Sequence, residues 1–163
     1  MKEATGLQII ILKGTMEHLP ACTEALIDSE IGEAYFPTAQ SAEAFLQQGL
    51  NKGEIFVAMD EQGACVGYIW FNLDGAFYRF PYLLNIAVKK ELRGKGIGKK
   101  LLALFEEKGF AKASRLFLLV SEFNAGAKRL YQAIGYKEVG EIPDFIKQGV
   151  AEHIMMKSRK GLR

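Results

Sequence analysis

Two almost wholly apolar runs, FPYLLNIAV (Phe80 to Val88) and RLFLLVS (Arg115 to Ser121), constrain the fold more than any other feature of this chain. Runs of this kind are strands buried on both faces, so they belong at the centre of a sheet that helices cover. Between them lie a glycine-rich stretch and an apolar helical pattern that reaches about Ala111. The order strand, helix, strand therefore forms the middle of the fold.

The flanks extend the same sheet. Leu7 to Lys13 reads as a first strand. Thr15 can N-cap a helix to about Ser29, with Pro20 tolerated near its first turn. EIGEAYFP (Glu30 to Pro37) breaks that helix through Gly32 and Pro37. A second helix follows over about Ser41 to Leu50, with Ala44, Phe45 and Leu50 among its core positions. EIFVAMDEQGACVGYIWFNL reads as a hairpin, with Gly63 supplying a positive φ. NAGAKRLYQAIG is a short helix that starts near Asn124 and stops at Gly135. YKEVGEI and AEHIMMK are closing strands, with Pro143 between them, and Arg159 to Arg163 read as a frayed tail. The expected fold is one α/β domain over residues 1–163, with a mixed, mostly antiparallel sheet of about seven strands flanked by about four helices.

The chain has 163 residues, 49% of them apolar, which fills one such core. A net charge of +2 gives no electrostatic case for nucleic acid or a membrane surface. The run Leu7 to Leu12 is too short to span a membrane, and no small-residue cleavage site follows it, so a cytoplasmic protein is expected. Cys22 and Cys65 have apolar flanks and read as core residues.

LRGKGIGKKLL (Leu92 to Leu102) sets Gly94, Gly96 and Gly98 at alternate positions directly before a helix. A tight turn needs one glycine or two. Three suit a backbone whose N–H groups must closely approach a ligand. A helix start carries unsatisfied donors and a partial positive charge, so phosphate is the natural ligand. Lys89, Lys90, Arg93, Lys95, Lys99 and Lys100 add cations. The P-loop pattern fails because Lys100 stands where Ser or Thr is needed. The dinucleotide fingerprint fails because its sixth position, counted from Gly94, is Lys99.

IAVKKELRGKGIGKKLL resembles the acetyl-CoA-binding motif of the GCN5-related N-acetyltransferase (GNAT) family, Arg/Gln-x-x-Gly-x-Gly/Ala, with Arg93, Gly96 and Gly98 in its positions. NAGAKRLYQAIGYKEVG resembles the family's second hallmark, an Asn-led short helix carrying Leu-Tyr before Gly-Tyr/Phe. The two span Ile86 to Gly140, and the element order extends the resemblance over essentially the whole chain. It implies acetyl-CoA as cofactor, with Ile86, Ala87 and Val88 beside the pantetheine arm. A backbone N–H near Val88 or Ala87 would polarise the thioester carbonyl. It implies that the loop Arg93, Gly94, Lys95, Gly96, Ile97, Gly98 and Lys99 holds the pyrophosphate, through the N–H groups of Lys95 to Lys99. Asn124 matches the residue that contacts the pantetheine chain, and it can also serve as an N-cap. Tyr131 matches the general acid. A phenol near 10 is close enough to a thiol near 8.5 to protonate the departing thiolate.

The amine acceptor must lose a proton. Peptide-acetylating members carry Glu five residues before the Asn. Leu119 stands there, which speaks against that mechanism, and Glu122 is nearer but reads equally as a loop acid. Asp28, Glu30 and Glu33, beside Tyr35 and Phe36, suit a cationic amine through ion pairing and cation–π contact. Glu30 or Glu33 is expected to bind or deprotonate it, the other reading being surface acids near a helix end. His18 and His153 are isolated in sequence, and no metal site is expected. Trp70, Phe71, Phe77, Tyr78 and Phe80 read mainly as core and sheet packing, with Phe77 to Tyr82 also able to reach the acceptor cleft. The resulting expectation is direct acetyl transfer to a small primary amine in a ternary complex, with a homodimer possible by resemblance. The alternatives are protein or peptide acetylation and a non-catalytic acyl-CoA-binding or sensing domain.

Overall fold

The computed structural model describes residues 6–162. In chain order the elements are β1 Ile10–Lys13, α1 Leu19–Ile27, α2 Glu30–Tyr35, α3 Ala39–Asn51, β2 Ile55–Met59, β3 Cys65–Ala76, β4 Phe80–Val88, α4 Ile97–Lys112, β5 Arg115–Ser121, α5 Ala125–Ala133, β6 Lys137–Ile142 and β7 Glu152–Ser158. The seven strands form one sheet in the order β1-β2-β3-β4-β5-β7-β6. β4 and β5 are parallel, with Tyr82 opposite Phe117 and Leu83 opposite Leu118. β1–β2, β2–β3, β5–β7 and β6–β7 are antiparallel. The mixed, mostly antiparallel sheet is as expected. Among the described residues there are five α-helices rather than about four, because the segment expected to break a helix is a helix itself.

The chain packs as two compact units, Met1–Trp70 with Asn85–Ala103, and Phe71–Leu84 with Leu104–Arg163. In the first, Thr15 opens a short 3₁₀ turn, its N–H donating to His18 Nδ1 at 3.0 Å. α1 then starts at Leu19 with Pro20 in its first turn, where a missing N–H does no harm. Ser29 starts α2 because its Oγ accepts from the Gly32 N–H at 3.0 Å. Gly32 does not break the helix. A Cβ there would lie 1.9 Å from the Leu26 carbonyl oxygen, so glycine is what lets α2 turn back against the end of α1. α3 buries Ala42, Leu46 and Leu50, whereas Ala44, expected in the core, faces solvent. Phe45 stacks between Phe36 and Trp70, with ring centroids 4.9 and 4.8 Å away. Cys22 and Cys65 are both buried.

In the second unit, Phe77 and Tyr78 form the turn before β4, both in the left-handed region at φ 56° and 54°. They are 76% and 98% exposed, so neither is a core residue, although the Phe77 ring meets Phe117 edge-on with centroids 5.7 Å apart. Phe80 and Phe117 pack beside the turn. Arg159 is not frayed. Its N–H donates to the Ser114 carbonyl at 2.8 Å, and its Nη2 donates to the carbonyls of Phe110 and, at 3.2 Å, Ala113. The guanidinium thus closes the carbonyl end of α4. Arg163 lies outside the described residues. No helix among the described residues is long and apolar enough to cross a membrane.

Burial raises four tyrosines above the ordinary phenol range: Tyr68, Tyr131, Tyr136, and Tyr82, the last pushed up to about 12 with help from the Glu152 charge. An unfolded tyrosine ionises near 10. Stability from these neutral phenols is therefore complete below about pH 10 and is lost as pH climbs toward the folded values. Urea midpoints are expected to hold up to about pH 10 and fall steeply above it. A midpoint unchanged to pH 12 would contradict this burial.

Candidate functional site

In the first unit, three stretches of the motif meet. β4 ends at Ile86, Ala87 and Val88, with Ala87 buried and its neighbours half-buried. The Lys89 N–H donates to the Val66 carbonyl on β3 at 2.9 Å. Strand alternation then turns the Val88 N–H away from β3, which selects Val88 over Ala87 as the outward donor. Gly67 makes this edge possible, since a Cβ there would sit 2.9 Å from the Ala87 carbonyl oxygen.

The loop Arg93–Gly96 follows, exposed throughout, with φ of 78° at Gly94 and 87° at Gly96. These two glycines are required by the backbone. Gly98 is different. It lies inside α4 without a positive φ, and an added Cβ would meet nothing within 4 Å. The fold of the chain has no need of glycine there, whereas a ligand approaching the first turn of α4 does. The Lys100 N–H bonds the Gly96 carbonyl at 3.2 Å, so the N–H groups of Ile97, Gly98 and Lys99 precede the first intrahelical bond. No acidic residue lies in that turn, and Lys95, Lys99 and Lys100 are exposed around it. Donor set, charge and open space all fit a pyrophosphate.

Arg93 itself turns inward. Its Nε donates to the Val88 carbonyl and its Nη2 to the Asp28 carbonyl, each at 3.0 Å. Its side chain clasps the end of β4 to the end of α1, and what the loop offers a ligand is backbone. Lys89 is engaged with Glu24 at 3.2 Å. The Arg93 clasp also ties the Asp28 backbone to the loop. Glu30 and Glu33 are exposed in the first turn of α2, where they also complement the helix dipole. Phe36 is in the aromatic stack with Phe45.

The second unit holds the other hallmark. Asn124 sits at the N-cap of α5, yet its side chain makes no cap hydrogen bond. Its N–H donates to the Ser121 carbonyl at 2.8 Å. The side-chain amide is thus not needed to start the helix. Tyr131 is 7% exposed, packed edge-on to Tyr136 with centroids 5.9 Å apart. Burial raises its phenol, so the proton is retained across the neutral range. Gly135 ends α5 at φ 104° as expected, and the Tyr136 N–H returns to the Tyr131 carbonyl at 3.0 Å.

Leu119 is half-buried on β5 opposite Ile154, with no carboxylate at that position. Glu122 braces the backbone instead, its Oε1 accepting from the Ala151 N–H at 3.1 Å. His153 is isolated only in sequence: its Nδ1 bonds Glu138, which also takes Lys128 at 3.0 Å. The sequence reading missed the buried pair Ser121 and Glu152. Its one visible signal was an acidic residue opening an apolar strand.

A model of the acetyltransferase (GNAT) family matches residues 19–136. An uncharacterized N-acetyltransferase of Methanocaldococcus jannaschii is 32% identical over 106 residues, covering 64% of this chain and 66% of that protein. A thialysine N-epsilon-acetyltransferase of Bos taurus is 39% identical over 93 residues, covering 54% of this chain and 55% of that protein. The chain thus spans under two thirds of the bovine relative's length and about two thirds of the archaeal one's. A crystal structure of a Pyrococcus horikoshii protein superposes with a TM-score of 0.78 at 26% identity, covering 94% of this chain and 99% of that one.

Proposed function

The chain belongs to the GNAT acetyltransferase family, and on that premise we propose that it transfers an acetyl group from acetyl-CoA directly to the primary amine of a small molecule in a ternary complex. The observation that carries this reading is Gly98, a helical glycine that neither backbone conformation nor crowding demands, at a helix start ringed by lysines.

Acetyl-CoA, when bound, supplies the thioester and its thiolate leaving group. The N–H groups at Lys95 to Lys99 hold the pyrophosphate, and the side-chain amide of Asn124 holds the pantetheine chain. Ile86 to Val88 line that chain as an extra strand, and the Val88 N–H stabilises negative charge growing on the thioester oxygen. Tyr131 keeps its proton through the neutral range and delivers it to the departing sulfur. Glu30 and Glu33, exposed and negative, draw in a cationic acceptor. The bovine relative's name specifies a side-chain amine of a small amino acid, an acceptor of this class.

The test is thiol release from acetyl-CoA across polyamines, amino acids including thialysine, amino sugars, aminoglycosides and short peptides. Release with one small-amine class is expected. Release with peptides alone would overturn the small-molecule reading. Tight acetyl-CoA binding without release by any amine would favour a sensing role.

A further inference from the structure

Glu152 opens β7 and is 2% exposed, the one buried carboxylate among the described residues. It stands opposite Ser121, itself 2% exposed, whose hydroxyl donates to its Oε1 at 2.6 Å. Ser121 ends β5, and its carbonyl accepts from the Asn124 N–H. The Glu122 N–H donates to the Ala151 carbonyl at 3.0 Å, and Glu122 Oε1 accepts from the Ala151 N–H. The start of β7 is therefore tied to the turn that carries Asn124. That turn lies at the carboxyl end of a parallel strand, the end where open α/β sheets take their ligands.

A buried carboxylate is an expensive way to fill a strand position, because an apolar residue of the same volume serves the fold as well. Groups on the neighbouring strands surround Glu152. Ser121 faces it from β5, and its charge is felt by Tyr82 on β4. On β6 its opposite residue is Ile142. His153, with Glu138 and Glu141, lies on the other face of the β6–β7 ribbon.

Building on the acetyl-transfer reading, we propose that Ser121 and Glu152 form the proton-accepting pair for the acceptor amine. The ammonium gives one proton to the Ser121 oxygen as that hydroxyl passes its own to Glu152. The freed nitrogen lone pair forms the C–N bond at the thioester carbon, and the C–S bond breaks. Tyr131 protonates the thiolate and regains a proton from the acylated nitrogen. Glu152 returns its proton to solvent after product leaves, so one proton is released per turnover. Glu30 and Glu33 keep the recruiting role.

Glu152→Gln preserves shape and still accepts the Ser121 hydrogen bond. With thialysine, or the most active amine of the panel, it should lower kcat/KM at neutral pH about tenfold or more. The loss should shrink as pH approaches the amine's own value, near 10.4 for a lysine-like amine. Ser121→Ala keeps the carboxylate but removes the oxygen that relays the proton to it, so it should lower kcat/KM at neutral pH by a similar factor. Both variants should bind acetyl-CoA with wild-type Kd by calorimetry. If Glu152→Gln fails to fold, the kcat/KM of Ser121→Ala decides alone. Wild-type kcat/KM at neutral pH in both, or in Ser121→Ala alone where Glu152→Gln does not fold, overturns the assignment while leaving acetyl transfer intact. Absence of amine-dependent release by the wild-type protein overturns the underlying reading and this one with it.

Discussion

Replacing Gly98 with alanine is expected to leave the fold as stable as before, or more so, while removing most of the affinity for acetyl-CoA. The two effects separate because they arise in different molecules. In the free protein the new Cβ meets nothing within 4 Å, and the position has ordinary helical backbone. Gly→Ala at a compatible site stabilises by about 0.4–1 kcal/mol, chiefly by restricting the unfolded chain. In the complex the same methyl group occupies the approach to the first turn of α4. A steric intrusion of about 1–3 kcal/mol is typical of a methyl group forced into a filled site. A loss near the upper end is about 100-fold in Kd. Gly94→Ala and Gly96→Ala should behave otherwise, losing stability as well as affinity, because both hold positive φ. Thermal melts and calorimetric titration with acetyl-CoA read the two quantities independently. Wild-type affinity in Gly98→Ala would mean that nothing approaches this helix start.

Tyr131→Phe is expected to reduce kcat by about 100- to 1,000-fold with the KM for acetyl-CoA within about twofold, the size of effect that a positioned general acid contributes. The substitution removes one oxygen and keeps the ring against Tyr136. No hydrogen bond from the Tyr131 hydroxyl to another described residue would be lost. Because burial raises the phenol, the wild-type enzyme should show no alkaline limb from this group below about pH 10, the ordinary phenol value. A limb at lower pH that vanishes in Tyr131→Phe would place the phenol in a polar setting and contradict the burial. Unchanged kcat would remove Tyr131 from the chemistry.

What could be read from sequence was local. The loop Arg93 to Gly98 and the helix from Asn124 to Gly135 carry their conformational demands in adjacent residues, so the turns, helix start and helix stop were visible without the fold. The two apolar runs likewise announced β4 and β5. Hidden were interactions across long stretches of chain. Arg93 looked like a phosphate ligand, but its guanidinium reaches a carbonyl 65 residues away. Ser121 and Glu152 are 31 residues apart and meet only because β7 pairs with β5. Gly32 was read by its usual propensity as a breaker, and only the closeness of the Leu26 carbonyl explains why it sits inside a helix. Hydrophobicity points Phe77 and Tyr78 to core and sheet packing, but the turn they form leaves both exposed.

The strand order carries one more implication, for the emerging chain. β6 is made before β7, yet β7 lies between β5 and β6 and pairs with both. During synthesis, then, the loop Arg93 to Gly98, Asn124 and Tyr131 all exist before β5 has its second neighbour, and one edge of a strongly apolar strand waits open. When Glu152 to Ser158 arrive, they close that edge and deliver the carboxylate to Ser121 in the same event. A ribosome-bound chain short of that strand holds the parts proposed to grip acetyl-CoA and lacks the part proposed to take the proton.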